Sequence, residues 1–128
     1  MADPTRFARV TYRIAAVYGL VVLPPQYLLE QRIGLDAPPP ITHPEYFYGF
    51  VGVALAWQVA FLLIAKDPVR YRALMPVTIL EKLAFGVAAL ALLALGRTTV
   101  PVALAGSIDL ALAVGFAAAF ARTPKGAG

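Results

Sequence analysis

Four stretches of mostly apolar residues, Phe7 to Leu29, Tyr46 to Ala65, Ala73 to Leu95 and Val100 to Ala121, occupy most of this 128-residue chain. About 20 such residues is the length at which an α-helix crosses the hydrocarbon core of a bilayer. Lipid offers no partners for backbone N–H and C=O groups, so a spanning segment must bond itself as a helix. Composition argues the same way: the chain is 60% hydrophobic and 14% charged, with a mean hydropathy of +0.74. A soluble domain of this size leaves too much surface outside for that balance. The expected fold is all-α: a single integral membrane domain over residues 1–128, built as a transmembrane four-helix bundle in up-down-up-down order.

The breaks between the apolar stretches carry helix-end chemistry. Asp3-Pro4 predicts an N-cap followed by a first-turn proline, Thr42-His-Pro-Glu45 a capping box, and Asp67-Pro68 a repeat of the first device. Gly34 and Gly96 suit helix C-termini, and Thr123-Pro124 a terminus for the fourth helix. Pro24-Pro25 should end or kink the first helix near its far end. Arg6, Arg9 and Arg13 before an apolar core resemble a signal peptide, but Leu23 to Glu30 offers no small-residue cleavage site, so a retained helix is expected.

Charge orients the bundle. Arg6, Arg9 and Arg13, then Lys66, Arg70 and Arg72, then Arg122 and Lys125 lie on one side, against Arg32 and Arg97 on the other. The positive-inside rule then places both termini of a multi-pass chain in the cytoplasm. The first connection, with Ala37-Pro-Pro-Pro40, would face outward as a stiff strap, followed by Tyr46, Phe47 and Tyr48 as an interfacial aromatic belt. The net charge of +4 is explained by this orientation, and nucleic acid is not expected as a partner because no soluble face would carry it.

Small residues recur at every fourth position of the last stretch: Ala103, Ser107, Ala111, Gly115 and Ala119. In lipid such a ladder permits close backbone approach, either within the bundle or at a seam between copies of the chain. Gly49, Gly52 and Ala56 make a weaker version in the second stretch.

Polar groups inside a membrane are costly, about 2.5–3.5 kcal/mol each on an insertion scale, and each needs a reason. At 1.5 Å per residue, Arg13 and Gln58 lie roughly 9–10 Å from the cytoplasmic helix ends, Glu81 and Lys82 roughly 12–14 Å, and Asp109 roughly 18 Å. All four spans thus deliver a polar group to one slab, and Arg13 and Lys82 balance Glu81 and Asp109. Neighbours in sequence point about 100° apart on a helix, so Lys82 is expected to meet Asp109 and Glu81 to meet Arg13, with Gln58 bridging. Tyr12, Tyr18, Trp57 and Thr78 could add hydrogen bonds. The cluster either specifies helix register or forms a binding or proton-relay site.

Other chemistry is sparse. With no cysteine there is no thiol nucleophile or Cys metal site, and the single histidine, His43, beside Glu45 falls short of a metal site. No catalytic residue, metal or cofactor is expected. Arg13-Ile-Ala-Ala-Val-Tyr-Gly-Leu, Leu80-Glu-Lys-Leu-Ala-Phe-Gly and Ser107-Ile-Asp-Leu-Ala-Leu-Ala-Val-Gly-Phe resemble small bacterial four-helix integral membrane proteins that are loosely DoxX-like. That resemblance implies a four-span bundle in the inner membrane and implies no activity or cofactor.

Two functional expectations follow. One is a membrane protein that binds an apolar small-molecule ligand, or acts as an accessory or scaffold subunit of a larger membrane complex or homo-oligomer, its polar cluster gripping helices or a ligand's polar end. The other is a proton-coupled small transporter or channel subunit working as a dimer. Membrane lipid is a partner in both, and an enzyme is the less favoured class.

Overall fold

Proline sets where the long helices begin. Pro44, Pro76 and Pro101 each occupy a first helical turn, where the missing N–H has no intrahelical partner to lose. The computed structural model describes residues 2–127. Its helices are α1 (Arg6–Val22), α2 (Glu30–Asp36), α3 (Pro44–Lys66), α4 (Met75–Ala94) and α5 (Val100–Arg122). Short 3-10 turns at Pro24–Leu28 and Arg72–Leu74 extend the first and third spans. Four segments are long and apolar enough to cross a membrane: Arg6–Leu28, Pro44–Lys66, Arg72–Ala94 and Val100–Arg122, each of 23 residues. At 1.5 Å per residue that is about 34 Å, sufficient for a hydrocarbon core of about 30 Å. With four spans, both termini lie on the same side.

Several helix ends differ from expectation. Pro24-Pro25 does stop α1, at Val22. The first connection is partly helical, because α2 forms before the proline run and contains Gly34 rather than ending at it. Thr42 is not the cap of α3: His43 holds that position without a side-chain cap bond, and Glu45 lies 3.6 Å from His43 Nδ1 instead. The Asp3 carboxylate accepts the Thr5 N–H at 2.8 Å and the Thr5 hydroxyl at 2.7 Å, which hold its pKa below the usual value. It thereby braces the residue that precedes α1. Gly96 has φ +68°, and Arg97 N–H to Leu92 O with Gly96 N–H to Leu93 O closes α4 in a Schellman motif.

The helices pair unevenly. α1 packs along α3, α4 along α5, and α1 against α5, while α3 and α4 scarcely touch. The bundle is therefore two antiparallel hairpins joined through α1 and α5, with a gap between α3 and α4. Apolar side chains cover the outside: Val21 is 66% exposed, Leu80 65% and Val114 71%. Such a surface suits lipid.

Two arginines close the terminal side. Arg9 donates to the carbonyls of Ala65 at 3.2 Å and Lys66 at 2.6 Å, at the end of α3. Arg72 donates to Phe120 O at 3.2 Å and Thr123 O at 2.8 Å, at the end of α5, and lies 3.9 Å over the Phe120 ring. Both satisfy carbonyls that the last turn of a helix leaves open.

The half of the bundle next to the termini is solid. Tyr12 stacks on Phe116 at 4.2 Å, and Phe61 meets Phe116 edge-on at 5.1 Å. Ala15, Ala16, Ile64, Met75 and Ala119 fill the space around them. The Thr78 hydroxyl donates to Met75 O, so its oxygen accepts from Tyr12 Oη, each at 2.7 Å.

Within the bundle, the small-residue ladder is not the packing face. Ala103 and Ala119 are buried and Gly115 half-buried, but Ser107 and Ala111 are exposed. A step of four residues advances about 40° beyond a full turn, so the ladder winds off the interface. The close crossing is instead Gly106 of α5 against Gly86 and Ala89 of α4, where a Cβ on Gly106 would stand 2.6 Å from that of Ala89. Gly49 and Ala56 of α3 are also exposed; the inward face there is Val51, Ala54, Gln58 and Phe61.

Candidate functional site: a cavity with a polar floor

Above the aromatic core the helices line a half-open cavity of about 380 Å³. Its walls are mainly apolar, with Val22 and Leu23 from α1 and the residue after it, Phe47, Phe50 and Ala54 from α3, Phe85 from α4, and Val102 and Ala105 from α5. Gln26 and Ile33 from the first connection reach its outer mouth. Its polar lining includes Gln58, Glu81, Lys82 and Asp109, near the middle of their spans. Three helices supply these four residues.

Lys82 Nζ lies 3.3 Å from Asp109 Oδ1 and 3.7 Å from Glu81 Oε2, and 5.3 Å from the centre of the Phe61 ring. Lys82 is 5% exposed and Asp109 8%. The expected pairing of Lys82 with Asp109 across α4 and α5 is present. The expected partner of Glu81 is not: Arg13 is exposed on α1, on the stripe of Val10, Ile14 and Val17. An arginine there can run its long stem along apolar surface toward the interface. Glu81 meets its own neighbour Lys82 instead, because a flexible ammonium stem can bend between two carboxylates even where the Cα–Cβ directions diverge. The charge count changes accordingly. Two carboxylates share one ammonium, so the cluster carries one formal negative charge in excess.

Gln58 is 2% exposed. Its Nε2 donates to Ala54 O at 2.8 Å, which fixes the amide's orientation, since the flipped form would set two oxygens together. The Oε1 atom has no hydrogen-bond partner among the described residues, and neither has Glu81 Oε2. Gly19 leaves room for this amide: a Cβ at that position would strike Gln58 Oε1.

A second cavity, of about 420 Å³, lies along the α3–α4 gap and is lined by Val53, Trp57, Val77, Leu80 and Ala84. Phe50, Ala54, Glu81 and Phe85 border both spaces. The Phe50 and Phe85 rings face each other at 5.5 Å across the gap. Glu81 therefore stands at the division between the lipid-facing groove and the interior.

Of the other candidate polar groups, Tyr18 lines the inner cavity and Trp57 the groove, while Tyr12 and Thr78 serve the core. The aromatic belt is split: Tyr46 is exposed, Phe47 faces the cavity, and Tyr48 Oη donates to Glu30 at 2.6 Å, tying α3 to α2. Three consecutive helical residues span about 200° and cannot share one face. Comparison of the chain with protein-family models, with curated proteins and with solved structures finds no match.

Proposed function

We propose that this protein is a multi-pass protein of a bacterial inner membrane, as its DoxX-like resemblance suggests, and that it binds a small amphiphile in the central cavity. The ligand's apolar body lies among Leu23, Phe47, Phe50 and Val102, and its polar end rests on the floor of Gln58, Glu81, Lys82 and Asp109. The observation that carries this reading is the union of about 380 Å³ of largely apolar-walled space with a polar floor. A register-setting network alone would call for side chains packed around it. The α3–α4 groove shares Phe50, Ala54, Glu81 and Phe85 with the cavity, and is the side from which a ligand would enter out of the lipid.

The test is native mass spectrometry of protein purified in mild detergent. Wild type should retain a small-molecule adduct, and Ala105→Phe, which fills the cavity, should lose it. An adduct retained equally by both proteins, or none on wild type, would remove the reading. The orientation that accompanies it, with both termini cytoplasmic, rests on the Lys and Arg asymmetry. A periplasm-active reporter should be silent at the C-terminus and active within Ala37 to Pro40.

A second reading draws on the excess carboxylate. A buried group without its own counter-ion is suited to exchanging a proton, so a proton-coupled transporter working as a dimer is the alternative. In proteoliposomes under a pH gradient, proton flux lost in Glu81→Gln would favour it.

A further inference from the structure

The polar floor is one-sided in its hydrogen bonding. Among the described residues, the two buried side-chain atoms without a hydrogen-bond partner, Gln58 Oε1 and Glu81 Oε2, are both acceptors, and Lys82 Nζ approaches Glu81 Oε2 no closer than 3.7 Å. The one ammonium in the cluster, Lys82, lies between Asp109 and Glu81, while the Gln58 N–H group is directed at Ala54 O. The donors are committed, and these two acceptors lack a hydrogen bond. Charge has the same sign, with two carboxylates against one ammonium. Gln58 is 2% exposed and lines the cavity, so its open oxygen is an interior feature rather than a solvated one. Burying an acceptor unmet is costly, about 1–3 kcal/mol for an unsatisfied group, and a ligand that donates relieves it.

We propose that the cavity's occupant is a lipophilic ammonium, a protonated amine that donates N–H to Gln58 Oε1 and Glu81 Oε2 with its apolar body against Phe47, Phe50 and Phe85. This rests on the ligand-binding reading above and adds the chemical class. A carboxylate or phosphate ligand would face the excess negative charge, and a ketone or ester would bring acceptors to acceptors. Glu81 borders both the groove and the cavity, so the same carboxylate meets the amine as it passes from lipid to interior.

The test uses three probes with one rigid apolar body: adamantan-1-amine, adamantan-1-ol and adamantane-1-carboxylate, titrated calorimetrically into the full-length protein in mild detergent. The amine should bind about tenfold or more tighter than the alcohol, as a charge-assisted hydrogen bond exceeds a neutral one by 1.4 kcal/mol or more. The carboxylate should bind weakest. Glu81→Gln and Gln58→Met should each lower amine affinity by about tenfold and lower that of the alcohol, which brings a single neutral donor, by clearly less. Unchanged elution and helical circular dichroism establish that each variant is folded, and the wild-type ranking needs no variant. A carboxylate or alcohol that binds as tightly as the amine, or an amine insensitive to both substitutions, overturns the ammonium assignment and leaves the cavity as a general apolar site. No binding by any of the three overturns both.

Discussion

The two halves of this bundle use the same four helices differently. Toward the termini, Tyr12, Phe61 and Phe116 stack and the helix ends are clasped by Arg9 and Arg72. Toward the connections, the corresponding space is hollow and ends on a polar floor. The solid half fixes register through shape and aromatic contact. That leaves the hollow half free to carry unmet acceptors and an excess charge, which would be hard to place in a bundle that relied on them for cohesion.

Breaking the polar floor at its one cation should have the largest effect. Lys82→Met leaves Glu81 and Asp109 without their shared counter-charge, and should cost about 3–5 kcal/mol in denaturant titration in mixed micelles. Lys82→Met with Asp109→Leu should recover much of that loss, and additive losses would show that the pair is not coupled. In the solid half, Phe116→Ala should cost about 3–4 kcal/mol, because its ring is fully buried between Tyr12 and Phe61. A change within about 1 kcal/mol would mean that this half is no better packed than the other. At the crossing of α4 and α5, Gly106→Ala should cost about 1–3 kcal/mol by forcing the backbones apart. The smallest effect is expected in the hollow half, where Ala105→Phe should change stability by less than about 1.5 kcal/mol. A loss as large as that of Phe116→Ala would show that the cavity is not open space.

The spans were legible because lipid imposes one length and one backbone solution, and their ends agree within about two residues of what hydropathy and proline placement predict. The contact of Lys82 with Asp109 followed from matched depth and opposite charge. What depth could not supply was azimuth. Arg13 sits at a suitable level on the wrong face of α1, and its neighbour in sequence space, Arg9, does the bridging through backbone carbonyls that no side-chain pattern advertises. The Gly86–Gly106 crossing was obscured by the abundance of Ala and Gly, since the four-residue ladder and the true interface are about equally rich in small residues. The cavity was invisible for a related reason: residues that leave a space have no signature distinct from residues that fill one.

The arginine clasps bear on how the chain is assembled. Arg9 of the first span finds its carbonyl partners only when the second span has been made through Lys66, and Arg72 of the third only when the fourth is complete through Thr123. Each hairpin thus becomes a locked unit at the moment its second helix is finished, before the other hairpin is needed. The segment from Asp67 to Tyr71 then joins two pre-formed inserts that meet along α1 and α5. A chain severed in that segment and supplied as two pieces should still insert, pair and close around the same cavity.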